Sequence, residues 1–350
     1  MTGDISPVVD RDRMLRAVDV AGRVRHRTSP NPWVGVTLVQ LDGTVAWGAT
    51  QPPGGNHAEI EALATATDPV GATVYTTLEP CSHHGRTGPC TEALIEAGVA
   101  RVVVGIEDPD PQVAGTGIAR LRDAGIRVDV GVAADEVTRQ LRPYLHHRRT
   151  GRPWVVLKLA ATIDGRVAAP DGTSQWITGP EARADTHRLR AESDAILVGA
   201  GTVRADDPSL TVRDWPPPEL RIDPDGVRDP RRIVLGTAPP DAKVHPCLEF
   251  EGEIPDLLDR LGADEVVQLM VEGGPRVAHA FHHAGLVDEY VVHLAPALFA
   301  GSDAAGLFAG AGVGSIGDLW RGRFDDVTRL GDDLRLTLVV DPPRPAGPQG

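Results

Sequence analysis

Two runs of segments that alternate between strand-like and helix-like periodicity constrain this chain of 350 residues more than any other feature. In the first run, Met14, Val18 and Ala21 recur at helical spacing, which predicts a helix over residues 13–24. After the turn TSPNPW come VGVTLVQ and TVAWGA, flanking Leu-Asp-Gly, and an Asp-Gly between two β-rich runs signals a hairpin. Then AEIEALATA reads as helix, ATVYTTLE as strand, CTEALIEAG as helix, ARVVVGIED as strand, TGIARLRDAG as helix and IRVDVGV as strand. The segment LHHRRTGRP, residues 145–153, is basic and Gly/Pro-punctuated and reads as a linker. The second run follows: WVVLKLAAT, AILVGAG, RRIVLGT, EVVQLMVEGG and EYVVHLAPAL as strands, with helices PEARADTHRLRAE, IPDLLDRLGA and PRVAHAFHHAG among them. Such alternation predicts two layered α/β domains. The Pro-, Asp- and Arg-rich stretch between Trp215 and Arg232 reads as surface loop, and the tail RPAGPQG as disordered.

Charge narrows the partners. The net charge of −14 repels phosphate backbones and anionic membranes, so a small-molecule substrate is expected and neither nucleic acid nor membrane. No apolar run approaches the roughly 20 residues of a bilayer crossing. The first residues, MTGDISPVVDRD, lack the basic region and apolar core of a secretory signal, so a cytoplasmic location is expected. Three cysteines are too few, and odd in number, for a disulfide framework.

Two of those cysteines belong to a chemical constellation. His57-Ala58-Glu59 lies where the chain leaves the turn PPGGN and enters a helix, Pro80-Cys81 ends a strand, and Cys90 opens the next helix. One His and two Cys suit Zn²⁺, and a tetrahedral site with three protein ligands keeps its fourth position for water, as catalytic zinc sites do. Zinc lowers the pKa of that water towards ~7. Glu59, two residues past the His, is placed to move a proton from water to a departing amine. Helix N-termini at the site favour thiolates. Singly, a core Cys or a chance HxE explains each residue as well. Together they match the zinc nucleobase deaminase signature, H-x-E then P-C-x-x-C, except that eight residues rather than two separate the cysteines. Cys247, in VHPCLEF, is expected to be dispensable for metal, because nothing at zinc-ligand spacing surrounds it.

The widened gap carries a resemblance of its own. TLEPCSHHGRTGPC, preceded by HAE and by Asn31-Pro32-Trp33-Val34-Gly35, resembles the deaminase half of the bifunctional riboflavin-biosynthesis deaminase/reductase family, and so does EDPDPQVAGTGIARLRDAGI. The resemblance continues through LKLAATIDGR, SQWITGPEAR, ADDPSLTVR and VEGGP, over about residues 12 to 340. It implies a cytidine-deaminase-like three-layer α/β/α domain over residues 1–147, then a dihydrofolate-reductase-like α/β domain over residues 148–345. It also implies one Zn²⁺ held by His57, Cys81 and Cys90, Glu59 as proton shuttle, and Asn31 as a base contact, although Asn31 also suits an Asx-turn. His83 and His84 are expected in substrate-pocket or loop roles, and His26 with Arg25 and Arg27 at a solvated helix end.

The second domain lacks a full GxGxxG, since Gly199-Ala200-Gly201 is followed by Arg204. VEGGPRVAHA is the better clue, because a strand ending in Gly273-Gly274 before a helix forms an anion site; an ordinary Gly-Gly-Pro turn reads the same. The resemblance implies NADPH as cofactor. It places Ala160, Trp176, Thr202, Asp206, Thr237, Gly274, Pro275, Arg276, Val277, Ala278, His279 and Ala280 at cofactor positions. Ser174, Arg190, Leu210, Arg213 and Glu272 fall at substrate positions, while Ala160, Leu210 and Thr237 equally suit packing roles. Guanidinium forks suit a phosphorylated substrate. Lys158 and Asp206 are candidates to assist proton movement, and Gly236 stands where the family more commonly has Asp. The implied activity is deamination of a diaminopyrimidine ribosyl phosphate followed by reduction of its ribosyl group, in a homo-oligomer. The alternative is a zinc-dependent nucleoside or tRNA deaminase with a C-terminal binding module.

Overall fold

The computed structural model describes residues 6–82, 88–111, 113–213, 215 and 227–340. The chain divides into two units, residues 1–151 and, apart from 217–227, residues 152–350. The first contains α1 (Pro7–Gly22), α2 (Arg25–Thr28), β1 (Gly35–Val39), β2 (Val45–Ala49), α3 (Ala58–Thr65) and β3 (Thr73–Leu78). It continues with α4 (Cys90–Glu96), β4 (Arg101–Ile106), α5 (Thr116–Asp123), β5 (Arg127–Val130) and α6 (Ala134–Thr150).

The expected hairpin forms: β1 and β2 pair antiparallel from Gly35↔Ala49 to Val39↔Val45. The Asp42 side chain accepts the Thr44 N–H at 2.8 Å and fixes the turn. The five strands run in the order β2-β1-β3-β4-β5, with β3, β4 and β5 parallel. Two glycines show how helices reach this sheet. A Cβ on Gly35 would lie 2.0 Å from the Ala17 carbonyl oxygen of α1, and one on Gly48 2.0 Å from that of Ala58 in α3. Gly48 pairs with Val36, the neighbour of Gly35, so the two glycines face opposite sides of the sheet. Helices therefore cover both faces, and the layers are α/β/α.

The stretch expected as a linker is instead helical. Helix α6 runs to Thr150, burying Leu141, Tyr144, Leu145 and His147. The polar run HHRR misled because Leu141, Tyr144 and Leu145 lie at i, i+3 and i+4, one apolar stripe facing inward. Its basic last turn complements the helix dipole, and Gly151, at φ 73°, ends it with an N–H bond of 2.8 Å to the His147 carbonyl.

The second unit contains β6 (Trp154–Thr162), β7 (Arg166–Ala168), α7 (Pro180–Ala191), β8 (Ala195–Gly199) and α8 (Ala200–Asp206). Then come β9 (Arg231–Leu235), β10 (Leu248–Phe250), α9 (Ile254–Ala263), β11 (Gln268–Val271), α10 (Pro275–His283) and β12 (Glu289–Ala295). Strands β13 (Ala305–Gly306), β14 (Gly322–Leu330) and β15 (Asp333–Val340) complete it. Eight strands form one sheet in the order β10-β9-β8-β11-β6-β12-β15-β14, parallel from β10 to β12 and antiparallel beyond. Alternate side chains feed two cores. Leu157, Leu197 and Leu269 pack with Leu257, Leu258 and Leu261 of α9 and Phe281 of α10. Val156, Ile196 and Met270 pack with Leu189 of α7, Val203 of α8 and Leu210. Both faces of the parallel, near-continuously apolar part of this sheet are thus covered. Among the described residues, no helix is long and apolar enough to cross a membrane.

Candidate active sites of the two units

In the first unit the strand-to-helix junctions bring three donors together. His57 is the N-cap of α3, Cys81 follows the end of β3, and Cys90 is the first residue of α4. His57 Nδ1 lies 3.5 Å from Cys81 Sγ and 3.3 Å from Cys90 Sγ. Bond lengths of about 2.3 Å to sulfur and 2.0–2.1 Å to nitrogen, in a tetrahedron, set an N···S edge of about 3.5 Å. The donor set fits zinc.

Its electrostatics point the same way. The Cys81 sulfur accepts from the Cys90 thiol and lies beside His57, which together pull Cys81 down to about 4 against the opposing effect of burial. The same sulfur–sulfur contact, with burial and the nearby Glu59 charge, pushes Cys90 up. The contact with Cys81 raises His57. Two sulfurs this close favour a divalent cation, which stabilises both thiolates at once. Glu59, in the first turn of α3, is 4% exposed, and burial raises its pKa, helped by the Cys81 charge. Its Oε1 lies 3.5 Å from the Thr76 hydroxyl.

A residue the sequence reading passed over holds this geometry. Glu79, two residues before Cys81, is buried, and its carboxylate accepts N–H bonds from Asp108 at 3.3 Å, Gly115 at 3.0 Å, Gly117 at 2.9 Å and Ile118 at 3.1 Å. A Cβ on Gly117 would lie 1.9 Å from the Pro80 carbonyl oxygen, so only glycine lets α5 approach the Cys81 loop this closely. The only sequence signal was a Glu directly before Pro-Cys.

Other expected residues fall variously. Asn31 is half-buried, its N–H bonded to the Thr28 carbonyl at 2.9 Å. His26 is not at a solvated helix end but buried, with Arg25 lying 4.9 Å over the Trp33 ring, because α2 folds back into the unit. His83 and His84 lie outside the described residues.

In the second unit a cleft of about 680 Å³ opens where β6, β8 and β11 end and α8 and α10 begin. Ala160, Ser174, Thr202, Asp206, Glu272, Gly274, Pro275, Arg276 and Val277 line it, as does Lys158. The volume is that of a ligand pocket. The start of α10 supplies free N–H groups, and the guanidiniums of Arg204 and Arg276 add positive charge, so the lining fits a dinucleotide phosphate. Glu272 sits between two cations: Arg190 Nε and Nη2 reach its Oε2 at 3.0 and 2.9 Å, and Lys158 Nζ its Oε1 at 3.5 Å. Burial opposes the charge of Glu272, yet Arg190 and Lys158 more than offset this and lower its pKa. Burial raises Asp206.

The remaining expected residues lie away from that cleft. Trp176 and Arg213 line a separate recess with His187, whose Nδ1 accepts the Arg213 N–H at 3.0 Å. Leu210 is in the core at φ 55°. The Thr237 hydroxyl donates to Glu251 at 2.9 Å, Ala278 packs in the core, His279 stacks on His283, and Ala280 accepts the Ala284 N–H within α10. Cys247 corrects an expectation: His245 and Glu249 do surround it, with donor atoms within 4.8 Å of one another.

Comparison with known proteins covers both units. Residues 8–106 match the cytidine and deoxycytidylate deaminase zinc-binding region, and residues 153–336 match the RibD C-terminal domain. The riboflavin biosynthesis protein RibD of Escherichia coli K12 is 42% identical over 94% of this chain and 99% of its own. That of Mycobacterium tuberculosis H37Rv is 41% identical over 94% of this chain and 97% of its own. A solved structure of Acinetobacter baumannii RibD has a TM-score of 0.87 at 36% identity, covering 95% of this chain and 99% of that one. A Thermotoga maritima structure, described as a diaminohydroxyphosphoribosylaminopyrimidine deaminase/5-amino-6-(5-phosphoribosylamino)uracil reductase, has a TM-score of 0.84 at 29% identity over the same shares.

Proposed function

Because this chain belongs to the family of bifunctional riboflavin-biosynthesis deaminase/reductases, we propose that each of its units carries one of the two reactions. The protein is a zinc-dependent deaminase and NADPH-dependent reductase. It deaminates 2,5-diamino-6-ribosylamino-4(3H)-pyrimidinone 5′-phosphate, then reduces the ribosyl group to give 5-amino-6-(5-phosphoribitylamino)uracil. The proposed division assigns deamination to the first unit, through residue 151, and reduction to the second, so the boundary expected at 147/148 moves past the last turn of α6. The observation that carries the reading is the tetrahedral spacing of His57, Cys81 and Cys90 beside the buried Glu59.

For deamination, His57 Nδ1 and the sulfurs of Cys81 and Cys90 would hold the zinc. Bound zinc makes water a nucleophile at neutral pH. Glu59 would take a proton from the attacking water and pass it to the ring nitrogen, then take the proton of the hydroxyl now on the ring carbon and deliver it to the amine, which leaves as ammonia as the carbonyl forms. Asn31 would contact the base.

For reduction, bound NADPH supplies the hydride. Ala160, Thr202, Asp206 and residues 274–277 would bind it, with Arg276 and Arg204 drawing phosphate into the cleft, whereas Trp176, Thr237, Ala278, His279 and Ala280 do not line it. Ser174, Arg190 and Glu272 would hold the substrate, whereas Leu210 packs in the core and Arg213 lines the separate recess. Arg190 and Lys158 keep Glu272 ionised and oriented, so its carboxylate accepts from the ribosyl hydroxyls. Lys158 is placed to give a proton as the sugar ring opens. The chain would act in the cytoplasm as a homo-oligomer; exposed Phe324 and Val327 on the outer strand β14 support self-association.

The test is turnover of the diaminopyrimidine phosphate with and without NADPH. Ammonia release without NADPH, and NADPH oxidation only once that product has formed, is the expected pattern. NADPH oxidation with no prior ammonia release would contradict it.

A further inference from the structure

We propose that His245, Cys247 and Glu249 form a second metal site, for a borderline divalent cation such as zinc, at the entrance to β10. These are alternate residues of one short segment, and one nitrogen, one sulfur and one carboxylate oxygen lie within 4.8 Å of one another.

The imidazole is fixed for the task. His245 Nε2 lies 2.9 Å from the Pro239 carbonyl oxygen. That oxygen only accepts, so Nε2 carries the proton and Nδ1 carries the lone pair. Nδ1 lies 3.5 Å from Cys247 Sγ, the same separation as between His57 and Cys81. A ligating histidine ordinarily donates its other N–H to a carbonyl or carboxylate in this way.

The other donors are held too. Glu249 accepts the Ala238 N–H at 2.9 Å, which orients its carboxylate. Arg232 donates to the carbonyls of Val244 and His245, at 3.4 and 3.1 Å, and to Asp229. That guanidinium therefore braces the backbone of the segment. A thiolate and a carboxylate with a neutral imidazole balance a divalent charge, and the sulfur and nitrogen favour zinc or cobalt over magnesium or calcium. Cys247 is half-buried and Glu249 exposed, so water can complete the coordination. On binding, the thiol proton leaves to solvent. The site lies in the second unit and shares no residue with the His57 centre.

Full-length protein carrying one zinc per chain is titrated with Co²⁺ and followed by thiolate-to-cobalt charge-transfer absorption. One further equivalent is expected to bind at micromolar Co²⁺ with that absorption. Cys247→Ser should abolish the band. Glu249→Gln should keep the band but weaken binding by at least about tenfold, the loss that even an outer partner of a metal site causes. Deamination should be unchanged in both variants. The absence of a second equivalent below millimolar Co²⁺ would overturn the proposal, as would a band that persists in Cys247→Ser or binding unaltered in Glu249→Gln.

Discussion

Replacing Glu79 by Gln tests whether its carboxylate fastens the Cys81 loop to the start of α5. In the native unit its Oε1 accepts the N–H groups of Gly117 and Ile118, and its Oε2 those of Asp108 and Gly115. Glutamine is nearly the same size, but one of its two positions becomes an NH₂ that faces two donors. Two buried N–H groups then lose their acceptor, at about 1–3 kcal/mol each, so the first unit should lose about 4 kcal/mol. For a unit of this size, 1 kcal/mol moves Tm by roughly 2–4 °C, which predicts a fall of about 8–16 °C. Scanning calorimetry of the full chain should show that fall in the first unit's transition and leave the second in place. Zinc affinity should drop with it, because Cys81 is two residues away. A shift below about 2 °C with zinc retained would refute the assignment of Glu79 as the fastener.

Three further outcomes follow. Arg190→Lys removes a two-nitrogen contact with Glu272, worth about 1.5–3 kcal/mol for bonds to a charged group, and should lower reductase kcat/KM about 10–100-fold while deamination is unchanged. Burial opposes ionisation of Asp10, but the Arg101 and Tyr75 contacts prevail and lower its pKa, so its contribution is complete above the unfolded value near 3.8 and is lost as pH falls below it. Denaturant unfolding should therefore show Asp10→Asn less stable than wild type at pH 6, the difference shrinking towards pH 3. A zinc chelator should abolish ammonia release and spare NADPH oxidation on pre-deaminated substrate, both read on one preparation.

Elements with strong periodicity were legible. WVVLKLAAT became β6 and IPDLLDRLGA became α9 residue for residue, because the apolar spacing of each admits one conformation. The zinc donors were legible for a local reason, each lying at a strand end or helix start that positions its own side chain. What escaped depends on partners distant in sequence. The N–H donors of Glu79 lie 29 to 39 residues away, and nothing local announces them. The hairpin of β14 and β15 turns on Gly331-Asp332, with φ 62° at Gly331, but its mostly exposed first strand shows little alternation. Trp176 and Arg213 share a motif neighbourhood with Ser174 and Asp206, yet the chain carries them to another recess. His245, Cys247 and Glu249 follow an i, i+2, i+4 pattern foreign to the usual zinc spacings, so only the folded segment shows them as a set.

The two-centre account is tested most directly by measuring both half-reactions and zinc content on a single preparation of Glu59→Gln. Glutamine keeps the size of the buried side chain but cannot carry the proton, and general acid–base catalysis is worth roughly 10²–10⁴-fold. Deamination should fall by at least about 10²-fold, with one zinc per chain retained and reduction of pre-deaminated substrate unchanged. Near-normal deamination, or an equal loss in both reactions with zinc in place, would contradict the account.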